Sequence, residues 1–76
     1  MVMHLGKEIA VRRKAKKLSL RQAAEIVGMS HQAVNNAEHG LTSFESALKI
    51  AKALGAPKDK LIDLAKQDAE DLARNT

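Results

Sequence analysis

A run of polar side chains in the middle of the chain has the chemistry to recognise another molecule through hydrogen bonds. The run offers imidazole and amide groups that donate and accept: His31, Gln32, Asn35 and Asn36. An amide such as that of Gln32 or Asn36 can pair with adenine through two hydrogen bonds. Because two adjacent asparagines lower helix propensity without helping packing, a recognition role is favoured over a plain solvent-facing surface.

A basic cluster precedes this run. It consists of Arg12, Arg13, Lys14, Lys16 and Lys17. Cations near the C-terminal end of a helix are stabilised by the helix dipole, and surface cations also bind phosphate groups. The two interpretations do not exclude each other, and both stay open at this point.

The residues needed for catalysis or for tight metal binding are absent or scattered. The chain has no cysteine, and no serine has a histidine and an acid in a recognisable arrangement. His31 and His39 are eight helical residues and therefore about 12 Å apart, too far to share a metal ion. We predict a protein that is not an enzyme and that has no cofactor and no metal.

Length and charge narrow the class of partner. The chain has 76 residues, with 13 Lys and Arg against 9 Asp and Glu, and this length predicts one domain over residues 1–76. Phe44 is the only aromatic residue, which argues against a stacking platform for single-stranded nucleic acid and leaves duplex DNA or a protein. The sequence shows no signal peptide and no long apolar run, so we expect a cytoplasmic protein with no membrane contact.

Glycines divide the chain into short helices. Gly28, Gly40 and Gly55 each follow a stretch with helical apolar spacing, where a residue with positive φ ends a helix at little cost. No alternating β-branched stretch appears, so the predicted class is all-α. The five predicted helices cover residues 4–17, 19–27, 31–39, 43–54 and about 57–74.

Local sequence signals predict how these helices start and which faces they bury. The expected caps are Ser19 with Gln22, Ser30, and Thr42 with Glu45. The expected inward residues are Leu5 and Ile9, then Ala23, Ala24 and Val27, then Phe44, Ala47, Leu48, Ala51 and Leu54, and finally Leu61, Leu64, Ala65 and Leu72. The stripe on the last helix is either core or a dimerisation surface.

The central part of the chain resembles the Cro and phage-repressor family of helix-turn-helix proteins, also called the xenobiotic-response-element or XRE type. The resembling stretch is LSLRQAAEIVGMSHQAVNNAEHG, residues 18–40. The matching positions are Leu18, Ser19, Ala24, Val27, Gly28, Ser30, Val34, Glu38 and Gly40, within a resemblance that covers roughly residues 5–65. It implies a compact five-helix, lambda-repressor-like domain with the helix-turn-helix at about residues 19–39. In this motif the second helix lies in the DNA major groove.

The resemblance also implies roles for single residues. Arg13 and Glu38 hold the positions of an inward, structural ion pair in the family. Base edges would be contacted by His31, Gln32, Asn35 and Asn36. Independently of the resemblance, phosphate contacts are expected at the helix N-termini capped by Ser19 and Ser30, where the dipole favours an anion. The other phosphate candidates are Arg21, Gln22, His39, Arg12, Lys16 and Lys17.

The chain departs from the family pattern near the expected phosphate contacts. Leu20 stands where the family usually has a glutamine that contacts the DNA backbone. The loop after the third helix, residues 41–43, is about two residues shorter than usual and carries no cation. We expect Arg12, Lys16 and Lys17 to compensate.

These observations lead to one main functional hypothesis and two alternatives. The main hypothesis is a sequence-specific regulator of transcription that binds double-stranded DNA, a small dimeric repressor of phage or mobile-element type in the bacterial cytoplasm at the nucleoid. The first alternative is an antitoxin that represses its own operon. The second is a protein-interaction module that uses the helix-turn-helix as a scaffold and the C-terminal helix for docking. A toxin or an antirepressor would be such a protein partner.

Overall fold

The computed structural model describes residues 2–74. All regular structure in that range is helical, which confirms the predicted all-α class and its five helices. The helices are α1 (Met3–Ala15), α2 (Leu20–Val27), α3 (His31–Glu38), α4 (Phe44–Ala53) and α5 (Lys58–Arg74). The predicted boundaries agree with these to within one or two residues.

Serine side chains cap three of the helices at their N-terminal ends. The hydroxyl oxygens of Ser19 and Ser30 each accept a hydrogen bond from a backbone N–H three residues later, at 3.1 Å. Ser19 closes a full capping box, because its own N–H donates to Oε1 of Gln22 at 2.8 Å. These contacts explain why α2 and α3 start where the sequence predicted.

The predicted capping box at the start of the fourth helix is wrong. Ser43, and not Thr42, accepts from the backbone N–H of Ser46, at 3.2 Å, and α4 begins at Phe44. Ser43 has the extended backbone of an N-cap residue, and its hydroxyl reaches the first free amides of the helix. Glu45 therefore lies in the first turn of α4 and does not close the box.

α1 lies against three other helices and organises the core. It packs on α3, α4 and α5, while α2 packs on α3 and α4. The large side chains that are fully buried include Leu5 and Ile9 of α1, Val34 of α3 and Ile50 of α4. Alanines fill much of the rest, at positions 23, 24, 37, 47, 51 and 56, so the helix axes approach closely.

Two residues that were predicted to face inward do not. Phe44 is 39% exposed and Leu72 is 57% exposed. Phe44 occupies the first turn of α4, and it is not among the partly buried apolar residues that pack on the core. On α5, Leu72 lies on the same face as Leu61 and Asp68, but Asp68, which is only 2% exposed, is the last buried residue in the described part of the helix, and Leu72 lies one turn beyond it.

Asp68 caps the N-terminus of α1 from the other end of the chain. Its two carboxylate oxygens accept from the backbone N–H groups of His4 at 2.8 Å and Leu5 at 3.0 Å. Nε2 of His4 lies 2.6 Å from Oδ2 of Asp71, one turn further along α5. The first turn of a helix has free N–H groups and favours negative charge, so this contact anchors α5 to the start of α1.

A second polar contact joins α1 and α5. Glu8 is only 5% exposed, and its carboxylate lies 2.7 Å from Nε of Arg12 and 3.2 Å from Nζ of Lys60. Burial alone would raise the pKa of Glu8. The hydrogen bonds and the attraction from Arg12 and Lys60 outweigh it, and they hold the pKa of Glu8 below its usual value of 4.5.

Gly6 lets α1 approach the end of α3 more closely than any other residue would. A Cβ atom at this position would lie 2.6 Å from the carbonyl oxygen of Ala37 and 2.9 Å from that of Glu38. Both contacts are to backbone, so they cannot be relieved by a side-chain rotation. Gly6 lies inside α1, so it has no role in ending a helix, and the close approach of α3 accounts for it.

We expect Gly6→Ala to lower the free energy of unfolding by about 1–3 kcal/mol, because α1 and α3 must move apart. Urea denaturation followed by circular dichroism measures the change. In an open helical position the same substitution raises stability by about 0.5–1 kcal/mol. An unchanged or raised stability would therefore contradict the close contact.

We also expect the Glu8 contact to make stability depend on pH in acid. Because the folded-state pKa is lowered, the contribution of Glu8 is fully present above the unfolded-state pKa and is lost as the pH falls through the folded-state value. Glu8→Gln should be less stable than the wild type at neutral pH, and the difference should shrink in acid. Urea denaturation between pH ~7 and ~3 tests this.

The matched control is Glu70→Gln, which changes an exposed carboxylate on α5, outside the first turn of that helix. Its free energy of unfolding should depend on pH in the same way as that of the wild type. A constant difference between Glu8→Gln and the wild type over the whole pH range would show that the carboxylate charge contributes nothing.

Candidate nucleic-acid interface

α2 and α3 are joined by a three-residue turn, residues 28–30. Gly28 ends α2 in the left-handed conformation, with φ 71° and ψ 33°, and its N–H donates to the carbonyl oxygen of Ala24. A Cβ on Gly28 would meet nothing within 4 Å, so glycine is favoured here by its φ and not by lack of space. Ser30 then resumes an extended backbone and caps α3.

The buried faces of these two helices fix which side of α3 is exposed. α2 contributes Ala23, Ala24 and Val27 to the core, and α3 contributes Val34 and Ala37. The residues are mostly small, so the two helices lie close together. The opposite side of α3 is left open to solvent.

The polar residues of α3 lie on that open side. At about 100° per residue, they fall within an arc of about 140° that is centred opposite the buried face. The structure brings together His31, Gln32, Asn36 and His39 as exposed side chains and Asn35 as a half-buried one. The predicted base-contacting residues therefore share one surface, which begins at the capped end of α3.

His39 is held against the last turn of α3. Its Nδ1 lies 2.8 Å from the carbonyl oxygen of Asn35. Because a carbonyl oxygen only accepts, Nδ1 carries the proton, and Nε2 is the atom left for a ligand.

The N-terminal ends of α2 and α3 present further groups to the same side. Ser19 and Ser30 are exposed, and each hydroxyl keeps its hydrogen available because its oxygen acts as acceptor in the cap. Gln22 uses its Oε1 in the capping box, so only its amide NH₂ is available to a phosphate. Arg21 and His31 line one shallow depression of about 350 Å³ between the two helices.

The basic residues at the end of α1 and just after it lie near different helices and do not form one cluster. Arg12 donates to Glu8, beside α5. Nζ of Lys16 lies 3.8 Å from where a Cβ of Gly55 would be, at the turn between α4 and α5. Lys17 is exposed just before α2 and has a positive φ of 56°. The structure thus places Arg12 and Lys16 with other elements, and their contact with phosphate stays a prediction.

Arg13 and Glu38 form a two-pronged contact between α1 and the end of α3. Nε of Arg13 donates to Oε2 of Glu38 at 2.5 Å, and Nη2 donates to Oε1 at 3.1 Å. The remaining nitrogen, Nη1, donates to the carbonyl oxygen of Leu18 at 2.8 Å. The hydrogen bond with Glu38 raises the pKa of Arg13 further, despite partial burial. One guanidinium thereby joins α1, the turn before α2, and the last turn of α3.

The loop after α3 does not supply a cation. Leu41 is exposed there, and Thr42 and Ser43 follow it. The candidate phosphate-binding groups on this side therefore lie at the N-terminal ends of α2 and α3 and, in the case of His39, at the C-terminal end of α3.

A comparison with protein families identifies the class to which this arrangement belongs. The sequence model described as helix-turn-helix matches residues 9–61. The chain belongs to this family of helix-turn-helix DNA-binding regulators, which agrees with the resemblance to the Cro and XRE type. No curated protein and no solved structure matches the chain. Within residues 2–74, no helix is both long enough and apolar enough to cross a membrane.

Sequence reasoning missed two residues that hold the interface in place. Gly6 positions α1 against the end of α3, and Asp68 anchors the first turn of α1. Gly6 could have been suspected, since a glycine inside a helical pattern usually has a packing reason. Asp68 lies in helical register with Leu61 and Leu64, but a pattern that counts only apolar residues passes over it.

We expect Arg13→Ala to lower the free energy of unfolding by about 3–5 kcal/mol, because it leaves the Glu38 carboxylate without its partner. Arg13→Lys should restore only part of the loss, since one ammonium cannot replace the planar guanidinium fork. Thermal and urea unfolding measure both effects. Lys14→Ala, an exposed neighbour, is the control and should be near neutral. Unchanged stability of Arg13→Ala would contradict this role of the ion pair.

Proposed function

We propose that this chain is a sequence-specific regulator of transcription that reads double-stranded DNA in the major groove with α3. The observation that supports the proposal best is the single exposed surface formed by the polar residues of α3, beside the exposed N-terminal end of α2. A major groove admits one α-helix, and its base edges offer the donors and acceptors that such a surface would meet.

Gln32 and Asn36 carry most of the proposed base recognition. They lie one turn apart and are both exposed, so neighbouring base pairs are within their combined reach. Each amide can donate to N7 and accept from N6 of an adenine, which discriminates by about 1–3 kcal/mol. His31 donates to guanine or to a phosphate at the start of the helix, and Asn35 contributes at the edge of the surface.

Phosphate groups are held by the two capped helix ends. The backbone N–H groups and the hydroxyls of Ser19 and Ser30 favour anions at these positions. Arg21 and Gln22 lie in the first turn of α2, His39 adds a group at the C-terminal end of α3, and the chain as a whole carries a formal charge of +4. Lys17, exposed just before α2, adds a further cation, and Arg12 and Lys16 would reach phosphate groups farther away, toward α5 and the turn between α4 and α5.

The protein acts as a homodimer on a palindrome whose half-sites lie about one helical turn apart. The distal part of α5 suits the contact between subunits, because Ala69 and Leu72 are exposed there. We further propose a repressor that occupies a promoter at the bacterial nucleoid, in a phage or mobile element. The resemblance of residues 18–40 to phage repressors supports this setting.

Selection of bound duplexes from a random DNA pool at about physiological salt tests the proposal. The wild type should enrich a two-fold symmetric motif. Gln32→Ala/Asn36→Ala should lose the preference at the contacted base pairs, with a fall in affinity for the selected site of about 5- to 150-fold per lost contact. Its binding to unrelated DNA should change little, because phosphate contacts carry that part of the affinity.

The matched control is Gln67→Ala, which removes the same kind of side chain from an exposed position on α5. It should select the wild-type motif. If folded wild type enriches no motif, DNA recognition by α3 is wrong and the interaction module becomes the better hypothesis. An enriched motif without two-fold symmetry would contradict the dimer alone.

A further inference from the structure

A groove between α4 and α5 takes no part in the proposed DNA contact. Its floor is apolar and is formed by Leu48 of α4 and by Leu61, Ile62 and Ala65 of α5, around a volume of about 300 Å³. Ile62 is 45% exposed, a large apolar side chain left open to solvent. None of the lining residues belongs to α2 or α3.

Three lysines surround this floor. Lys49 and Lys52 lie on α4, and Lys58 lies at the start of α5. All three are exposed, and within residues 2–74 none of them is in an ion pair. The nearest acid along α4, Glu45, is one turn before Lys49 and is not paired with it. The groove therefore combines an apolar floor with an unbalanced positive rim.

An apolar floor with a positive rim favours a ligand that is both apolar and negatively charged. We propose that the groove binds an acidic amphipathic helix of a partner protein. A helix laid between two helices inserts apolar side chains at positions i, i+3, i+4 and i+7. Glutamate or aspartate beside those positions would face the lysines, and complementary charge favours both the encounter and the correct orientation.

The charges of the chain argue against a second copy as the occupant. The exposed apolar face of α5 is itself flanked by Lys58 and Lys66, which a second α5 would bring against the lysine rim. DNA is also a poor occupant, because phosphate groups gain nothing from an apolar floor.

The groove and the proposed DNA-reading surface lie on different helices. α5 packs on α1 and α4, and the recognition surface lies on α3. A helix in the groove therefore leaves the polar face of α3 free. The inference does not depend on the proposed DNA binding, and each can fail without the other.

The test uses an acidic amphipathic peptide of about 18 residues, long enough to form a helix, with leucines at the i, i+3, i+4 and i+7 positions and glutamates beside them. Fluorescence anisotropy with the labelled peptide should show binding that weakens with salt. Lys49→Glu/Lys52→Glu should raise the dissociation constant about tenfold or more. Amide signals of Leu48, Leu61 and Ile62 should shift in NMR spectra.

Two controls separate charge from location. The double variant Lys7→Glu/Lys14→Glu has the same net charge and changes exposed lysines of α1 outside the groove, so its affinity should stay within about twofold of wild type. A twin peptide with lysine at every glutamate position should not bind.

Several results would overturn the proposal. The first is no binding at about 1 mM peptide, since a dissociation constant above this corresponds to a binding free energy weaker than about 4 kcal/mol. The second is equal binding of the acidic peptide and its lysine twin. The third is a set of NMR shifts confined to α2 and α3. A wild-type dimer that Ile62→Glu converts to monomer in sedimentation would assign the groove to a second copy instead.

Discussion

The close approach of α1 to the end of α3 is the contact on which the arrangement of the other helices depends. Gly6 removes the side chain that would separate the two backbones. Seven residues later, Arg13 reaches the Glu38 carboxylate and the carbonyl oxygen of Leu18. The C-terminal end of α3 is therefore fixed to α1 by shape and by charge, while its capped N-terminal end stays exposed. This asymmetry keeps the polar face of α3 in one orientation.

Buried polar groups complement an apolar core that is rich in alanine. Glu8 joins Arg12 and Lys60, and Asp68 accepts two backbone hydrogen bonds at the start of α1. Such contacts often only offset the cost of taking charges out of water. These contacts fix the relative orientation of the helices, because each charged group has one set of hydrogen-bond partners, whereas an apolar surface can pack in many ways. They place α5 beside α1, and α5 in turn forms one wall of the lysine-rimmed groove.

The helices could be predicted from the sequence because their signals are local. Ser19, Ser30 and Gly28 act on residues within one turn, and the resemblance over residues 18–40 gave the correct family. The capping box at Thr42 was wrong because Ser43, one residue later, is an equally good cap. The surroundings of Arg12 and Lys16 depend on which helices pack beside α1, and no local pattern contains that information. The exposed face of α3 follows from periodicity, whereas its base contacts remain predictions.

The hydrogen bonds from His4 and Leu5 to Asp68 span almost the whole chain, with sequence separations of 64 and 63 residues. During synthesis on the ribosome, the first turn of α1 therefore emerges long before its cap exists. α1 has 13 residues, a length at which an isolated helix is only marginally stable in water, and its N-terminal amides stay with water until α5 has left the exit tunnel. The native arrangement of α1 is consequently completed only after translation of Asp68, at a late step that joins the two ends of the fold.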